Sequence, residues 1–132
     1  MGLFSKKPKY TLKDEIFTAS DHMRKLLHSF GYRADYSMAS LKDTDSFLRE
    51  RRNHLTDNDK FLIGSYVGET VIRLMGGEWH IDKTDENWKI NATVVTAHGI
   101  IFRPMQKVEK RCCEEDGESL YDYVEKAKEA GE

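Results

Sequence analysis

The chain of 132 residues holds only two cysteines, and they are adjacent, Cys112 and Cys113. Neighbouring cysteines do not readily meet disulfide geometry, so nothing here staples a small secreted domain together. Proline is equally scarce, at two residues, and glycine numbers nine, which excludes collagenous and linker-like compositions. No apolar run approaches the roughly 18 residues of a membrane helix. The opening MGLFSKKPKY lacks an apolar stretch of signal-peptide length, and Lys6 stands where myristoylation needs Ser or Thr. A basic surplus is missing too: 21 basic against 23 acidic residues give a formal charge of −2. General nucleic-acid binders need that surplus to displace counterions from phosphate. The absences point to a protein of the reducing cytoplasm, with neither nucleic acid nor membrane as partner.

What is present is a folding composition. Six Phe, six Tyr and two Trp are too many aromatics for a disordered chain, and 33% charged residues are too many for a membrane protein. The length suits one domain. Residues 1–10 read as a flexible basic leader and 11–132 as a single domain.

Apolar residues recur at helical spacing as Leu12, Ile16, Phe17, Met23, Leu26, Leu27 and Phe30. Thr11 is the expected N-cap of this first helix, with Gly31 as its stop. Tyr32–Ser37 reads as an extended crossing. Ser37 or Ser40 caps a second helix with Leu41, Thr44, Phe47 and Leu48 on one side, and Asn53 to Asn58 reads as a loop. Asp57 is then the expected cap of a long third helix, Asn58–Met75, closed by Gly76-Gly77. Beyond Gly77 the period becomes two: Trp79 and Ile81, then Trp88, Ile90, Ala92 and Val94, alternate with polar neighbours. His98-Gly99 turns into a third strand, Ile100–Arg103. Pro104 opens a short helix that Asp116-Gly117 breaks, and Ser119 caps a last one carrying Leu120, Tyr123, Val124 and Ala127. The expected architecture is α+β: three N-terminal helices, a three-stranded antiparallel meander, then two shorter helices packed on one face of the sheet.

The third helix is apolar around most of its circumference, as a central helix must be. Its polar stripe is Asn58, Ser65, Glu69 and Arg73. Gly64 and Gly68 each cost about 1 kcal/mol relative to alanine in a helix interior, so close approach of a neighbouring helix or strand is expected there. Glu69 admits three readings. It is a general base or ligand anchor with His80, or an ion-pair partner of Arg73 one turn on, or an acceptor for a backbone N–H or the Trp79 indole. The two structural readings outweigh the catalytic one.

No complete catalytic or metal set emerges. The five histidines, His22, His28, His54, His80 and His98, show no zinc-helix spacing. His80 and Asp82 share a strand face and supply at most two ligands, which a solvated face explains as well. Cys112 and Cys113 lie beside Lys110 and Arg111, which favour a thiolate, but no His–Asp arrangement assists them. There is no phosphate-binding glycine loop, and no cofactor is expected. The charge is uneven along the chain. Arg103, Lys107, Lys110 and Arg111 against Glu109 make a local +3, while the stretch from Glu114 onward is −6. The two are expected to neutralise each other largely within the fold.

The stretch from Asp35 onward resembles a group of small bacterial proteins of unknown function. The residues that carry the resemblance are Asp35-Tyr36-Ser37, Ser40-Leu41 with Asp45, Gly64-Ser65-Tyr66-Val67-Gly68-Glu69 and Gly76-Gly77-Glu78-Trp79. Pro104, Lys107, Val108, Lys110 and Arg111 extend it, and Ser119-Leu120 complete it. The resemblance implies a compact α+β bacterial domain and brings no activity with it; some proteins of this look are associated with immunity to bacterial toxins.

The expectation that follows is a non-enzymatic protein-interaction module, of which an immunity-type inhibitor is one form. Arg103, Lys107, Lys110 and Arg111 would steer a partner of opposite charge, the module itself being a monomer or weak homodimer. The competing expectation is a small enzyme or ligand-binding domain with a pocket around Glu69, Tyr66, Trp79 and His80. Gly64, Gly68, Gly76 and Gly77 are expected to be structural.

Overall fold

The first helix, α1 (Leu12–Ser29), begins where Thr11 and Asp14 cap each other reciprocally, satisfying two backbone N–H groups. In the computed structural model, which describes residues 10–113 and 117–131, five more helices, a short 3-10 turn and three strands follow. They are α2 (Met38–Arg51), the 3-10 turn Arg52–His54, α3 (Asp57–Met75), β1 (Glu78–His80), α4 (Trp88–Asn91), β2 (Thr93–Val95), β3 (Ile101–Phe102), α5 (Pro104–Cys113) and α6 (Leu120–Ala130). The protein is α+β. The expected leader, Tyr10 apart, lies outside the described residues, as does Asp116.

Ser37 caps α2, accepting from the Ser40 N–H, and Ser119 caps α6, accepting from Asp122. The cap of α3 is Thr56 rather than Asp57, one residue earlier than expected. Thr56 and Asp59 form a second capping box, which starts the helix within the stretch read as a loop. Gly31 and Gly76 both take positive φ just beyond their helices, as expected of C-terminal stops.

Helix α3 is the centre of the molecule: Ile63, Tyr66 and Val71 are fully buried. It packs along α1 on one side and α5 on another, while α6 packs chiefly against α2. The two C-terminal helices therefore flank the helical layer. They reach the sheet only in part, through the stack of Tyr123 on Phe102 at 5.2 Å between centroids. On α1, Ile16, Met23 and Leu27 face inward, whereas Phe17 and Phe30 lie half outside. Ser65, placed on the polar stripe of α3, is buried as well. Its hydroxyl donates to Phe61 O one turn back, so burial leaves no unpaired group.

The sheet is an antiparallel meander in the order β1-β2-β3. Its register sets Trp79 opposite Val94 and Val94 opposite Phe102, so one row of buried side chains crosses all three strands. The strands are shorter than expected. Trp88–Asn91, read as the start of the second strand, is one helical turn. Asp85 accepts from the Asn87 N–H and the Asn91 side chain, and backbone bonds from Trp88 to Asp85 and from Asn91 to Asn87 close the turn. The alternation of Trp88 and Ile90 arises from a helical turn with one residue in and one out. Trp88 meets Phe61 edge to face at 5.8 Å, and Ile90 stays exposed.

The crossing expected at 32–37 is not extended throughout: it turns at 35–37. There Tyr36 adopts φ +59, a left-handed conformation that a bulky residue holds only when its surroundings impose it.

Candidate functional site

The four residues expected around one pocket divide between two places. Tyr66 is fully buried on the side of α3 facing α2. Its hydroxyl donates to Ser40 Oγ at 2.8 Å and accepts from the Tyr36 N–H at 3.1 Å. The Tyr36 ring stacks on Tyr66 at 4.9 Å, its hydroxyl meets Ser20 Oγ at 3.1 Å, and the Arg73 guanidinium covers its other face at 3.8 Å. Together these contacts hold the left-handed backbone of Tyr36. Burial pushes the Tyr66 phenol above its ordinary range, its hydrogen bonds with Ser40 and Tyr36 opposing it, so it is a neutral structural group. Tyr66→Phe should cost about 1–2 kcal/mol, the worth of a buried hydrogen-bonded hydroxyl whose partners are left behind. Urea unfolding of the two proteins measures this.

Glu69, half-buried, accepts from the Trp79 indole Nε1 at 2.8 Å. This is the indole reading of Glu69, whereas the Arg73 ion pair is not made: Arg73 turns to Tyr36 instead. The Trp79 ring itself is buried over Gly68. His80 points to the opposite, exposed face of the strand, 3.5 Å from Glu78. Asp82 is taken by the N–H and hydroxyl of Thr84, which lower its pKa. Among the described residues, no group of three or more His, Cys, Asp or Glu is placed to hold a metal.

The glycines mark close approaches. A Cβ on Gly64 would lie 2.9 Å from the Met105 Cα on α5, and one on Gly77 would meet the Val95 carbonyl of β2. Gly64 thus lets the backbones of α3 and α5 approach closely at Met105, and Gly77, at φ +119, lets β1 leave the helix directly against β2.

The basic segment is also divided. Lys107 is almost covered, 3.4 Å from Glu118 and 5.0 Å from the Tyr123 ring centroid. Desolvation lowers its pKa, against the pull of Glu118. Arg111 Nε stands 4.0 Å from the buried Asp45 carboxylate. Only Arg103 and Lys110 of the four are exposed. Cys112 is half-buried, and burial raises its thiol pKa, the opposite of an activated nucleophile.

A concave surface lies elsewhere. Between the start of α3, the α4 turn and α5 is a groove of about 350 Å³, walled by Phe61, Trp88, Ile90 and Met105. Two lysines at its edge are already neutralised: Lys60 by Glu109 at 2.7 Å and Lys89 by Glu15 at 3.3 Å. Asp57 and Glu86, also lining it, are exposed. The groove needs Trp88 and Ile90 on a helical turn, so alternation read as a strand concealed it. The one signal in the sequence was the Asp85–Asn91 spacing of turn-forming side chains.

No family model, curated protein or solved structure matches the chain. Among the described residues no helix is long and apolar enough to cross a membrane.

Proposed function

We propose that the protein is a non-enzymatic interaction module that engages a partner protein through the groove between α3, α4 and α5. The observation that carries this reading is an exposed Ile90 beside a concave wall of Phe61, Trp88 and Met105. An apolar wall with an aromatic floor is what an anchoring side chain fills at an interface. The exposed carboxylates of Asp57 and Glu86 favour an anchor carried on a cationic segment. Arg103 and Lys110, exposed further along α5's side, would orient an acidic region of the same partner. An inhibitor that blocks its partner is one form such a module takes. The competing reading, an enzyme or ligand pocket around Glu69, Tyr66, Trp79 and His80, has less support. Tyr66 and Glu69 are committed to Ser40 and Trp79, and His80 faces away.

The test is quantitative affinity capture from bacterial lysate with three baits. Wild type should retain a stoichiometric partner, Ile90→Asp should lose it at least tenfold, and Ile101→Asp, on the exposed side of β3, should retain it. A partner held equally by all three baits, or none held by wild type, would count against the groove.

A further inference from the structure

A second groove, of about 210 Å³, opens between the second half of α1, the end of α2 and the start of α3. Met23, Leu26 and Leu62 line it, together with Phe30, Phe47 and Arg51. The Arg51 guanidinium sits over both aromatic rings, at 4.4 Å from the Phe30 centroid and 4.6 Å from Phe47. Its Nη1 is buried and has no hydrogen-bond partner; the nearest carboxylate, Glu50, is 3.8 Å away. Glu50 also accepts from the Tyr32 hydroxyl at 2.8 Å. The groove's own carboxylate, Asp59, is committed to the Thr56 N–H at the α3 cap.

We propose that this groove binds an aliphatic monocarboxylate. The tail lies against Met23, Leu26 and Leu62, and the carboxylate accepts from Arg51. Three features meet here that a purely structural arginine does not need together. One is an apolar cleft too small for a bulky ligand; another is a planar cation held over two rings; the last is a buried guanidinium nitrogen whose carboxylate neighbour, Glu50, stands at 3.8 Å, beyond hydrogen-bond distance. Arginine's fork matches a carboxylate in two parallel hydrogen bonds, and stacking pre-orients it for that. The site is separate from the Trp88 groove, so it stands whether or not that surface binds a protein.

The probe is octanoate below its micellar concentration, with octanol and octylamine as controls, followed by amide chemical shifts and calorimetry. Octanoate should saturate, moving amides in the second half of α1, at Leu55 and at the start of α3, and should bind at least tenfold more tightly than octylamine. Arg51→Gln should weaken octanoate at least tenfold while leaving octanol unchanged. Glu50→Gln keeps an acceptor for Tyr32 but removes the competing charge, and should tighten octanoate severalfold, a gain that misfolding cannot produce. Equal binding of octanoate and octylamine, shifts centred on the Trp88 groove, or no gain from Glu50→Gln would overturn the proposal.

Discussion

Gly68→Leu should lower the thermal midpoint by about 10 °C or more, a loss of roughly 3 kcal/mol, at the severe end for overpacking a core. Even the first carbon of the new side chain would overlap two atoms of the Trp79 ring, with the Pro104 ring 3.2 Å away. Neither neighbour yields readily. The indole is held by its bond to Glu69 and by its place in the buried row with Val94 and Phe102, and Pro104 opens α5. Gly68→Ala should show a smaller loss in the same direction, since it adds only that first carbon. Differential scanning calorimetry of the three proteins reads both effects. A melt of Gly68→Leu within about 2 °C of wild type would mean that the ring and α3 are not in contact as described.

Asp45→Ala should cost about 3 kcal/mol, because it removes the carboxylate on which a distant helix begins. Asp45 lies on α2, almost buried, and accepts from the backbone N–H groups of Leu120 at 2.8 Å and Tyr121 at 3.1 Å. These are the first N–H groups of α6, where the helix dipole also favours a negative charge. A contact across 75 residues of chain thus fixes the position of α6 on α2. Burial raises the Asp45 pKa above its ordinary 3.8, with the two N–H groups and Arg111 pulling it down. With a raised pKa the folded chain holds the proton more tightly than the unfolded one. The proton-linked part of this group's contribution is therefore full below the unfolded value and is lost as the pH rises through the folded one, while the bonds to the Leu120 and Tyr121 N–H groups remain and are what alanine removes. Asp45→Asn keeps an oxygen acceptor and removes the titration. It should lose less stability than alanine and flatten the decline above pH 3.8 that Asp45 contributes. Urea midpoints measured from pH 3 upward, as an order-of-magnitude range around carboxylate titration, check both statements.

The helices were legible because their signals are local. Thr11 with Asp14, Ser37, Ser119 and Gly76 act on N–H and C=O groups within one turn of themselves; these caps stand where they were expected, Ser37 being one of the two residues, with Ser40, that α2 offered. The buried centre of α3 was legible from its apolar circumference. The need for close approach at Gly64 and Gly68 was legible from what a glycine costs inside a helix. Trp88–Asn91 was misread because a run of two apolar residues fits either period. Asp85 decided between them by capturing its neighbours' N–H groups.

Which partner each polar side chain takes is a different matter, because it depends on what the fold carries past it. Glu69 and Arg73 are ideally spaced to pair along one helix face. The sheet brought the Trp79 indole to Glu69, the bend at 35–37 brought the Tyr36 ring to Arg73, and the pair was not made. The basic segment was expected to be neutralised largely by the acidic stretch after it, and Lys107 does meet Glu118; that Arg111 is set against Asp45 of α2 instead depended on how α5 and α6 pack. Sequence by itself determined the order and ends of most helices, the antiparallel sheet and the positions where no side chain fits, since each rests on periodicity or on interactions within one turn. Tertiary structure alone decided the left-handed Tyr36, the Asp45 anchor of α6 and the two grooves, because each is made by residues that meet only after the helices have packed.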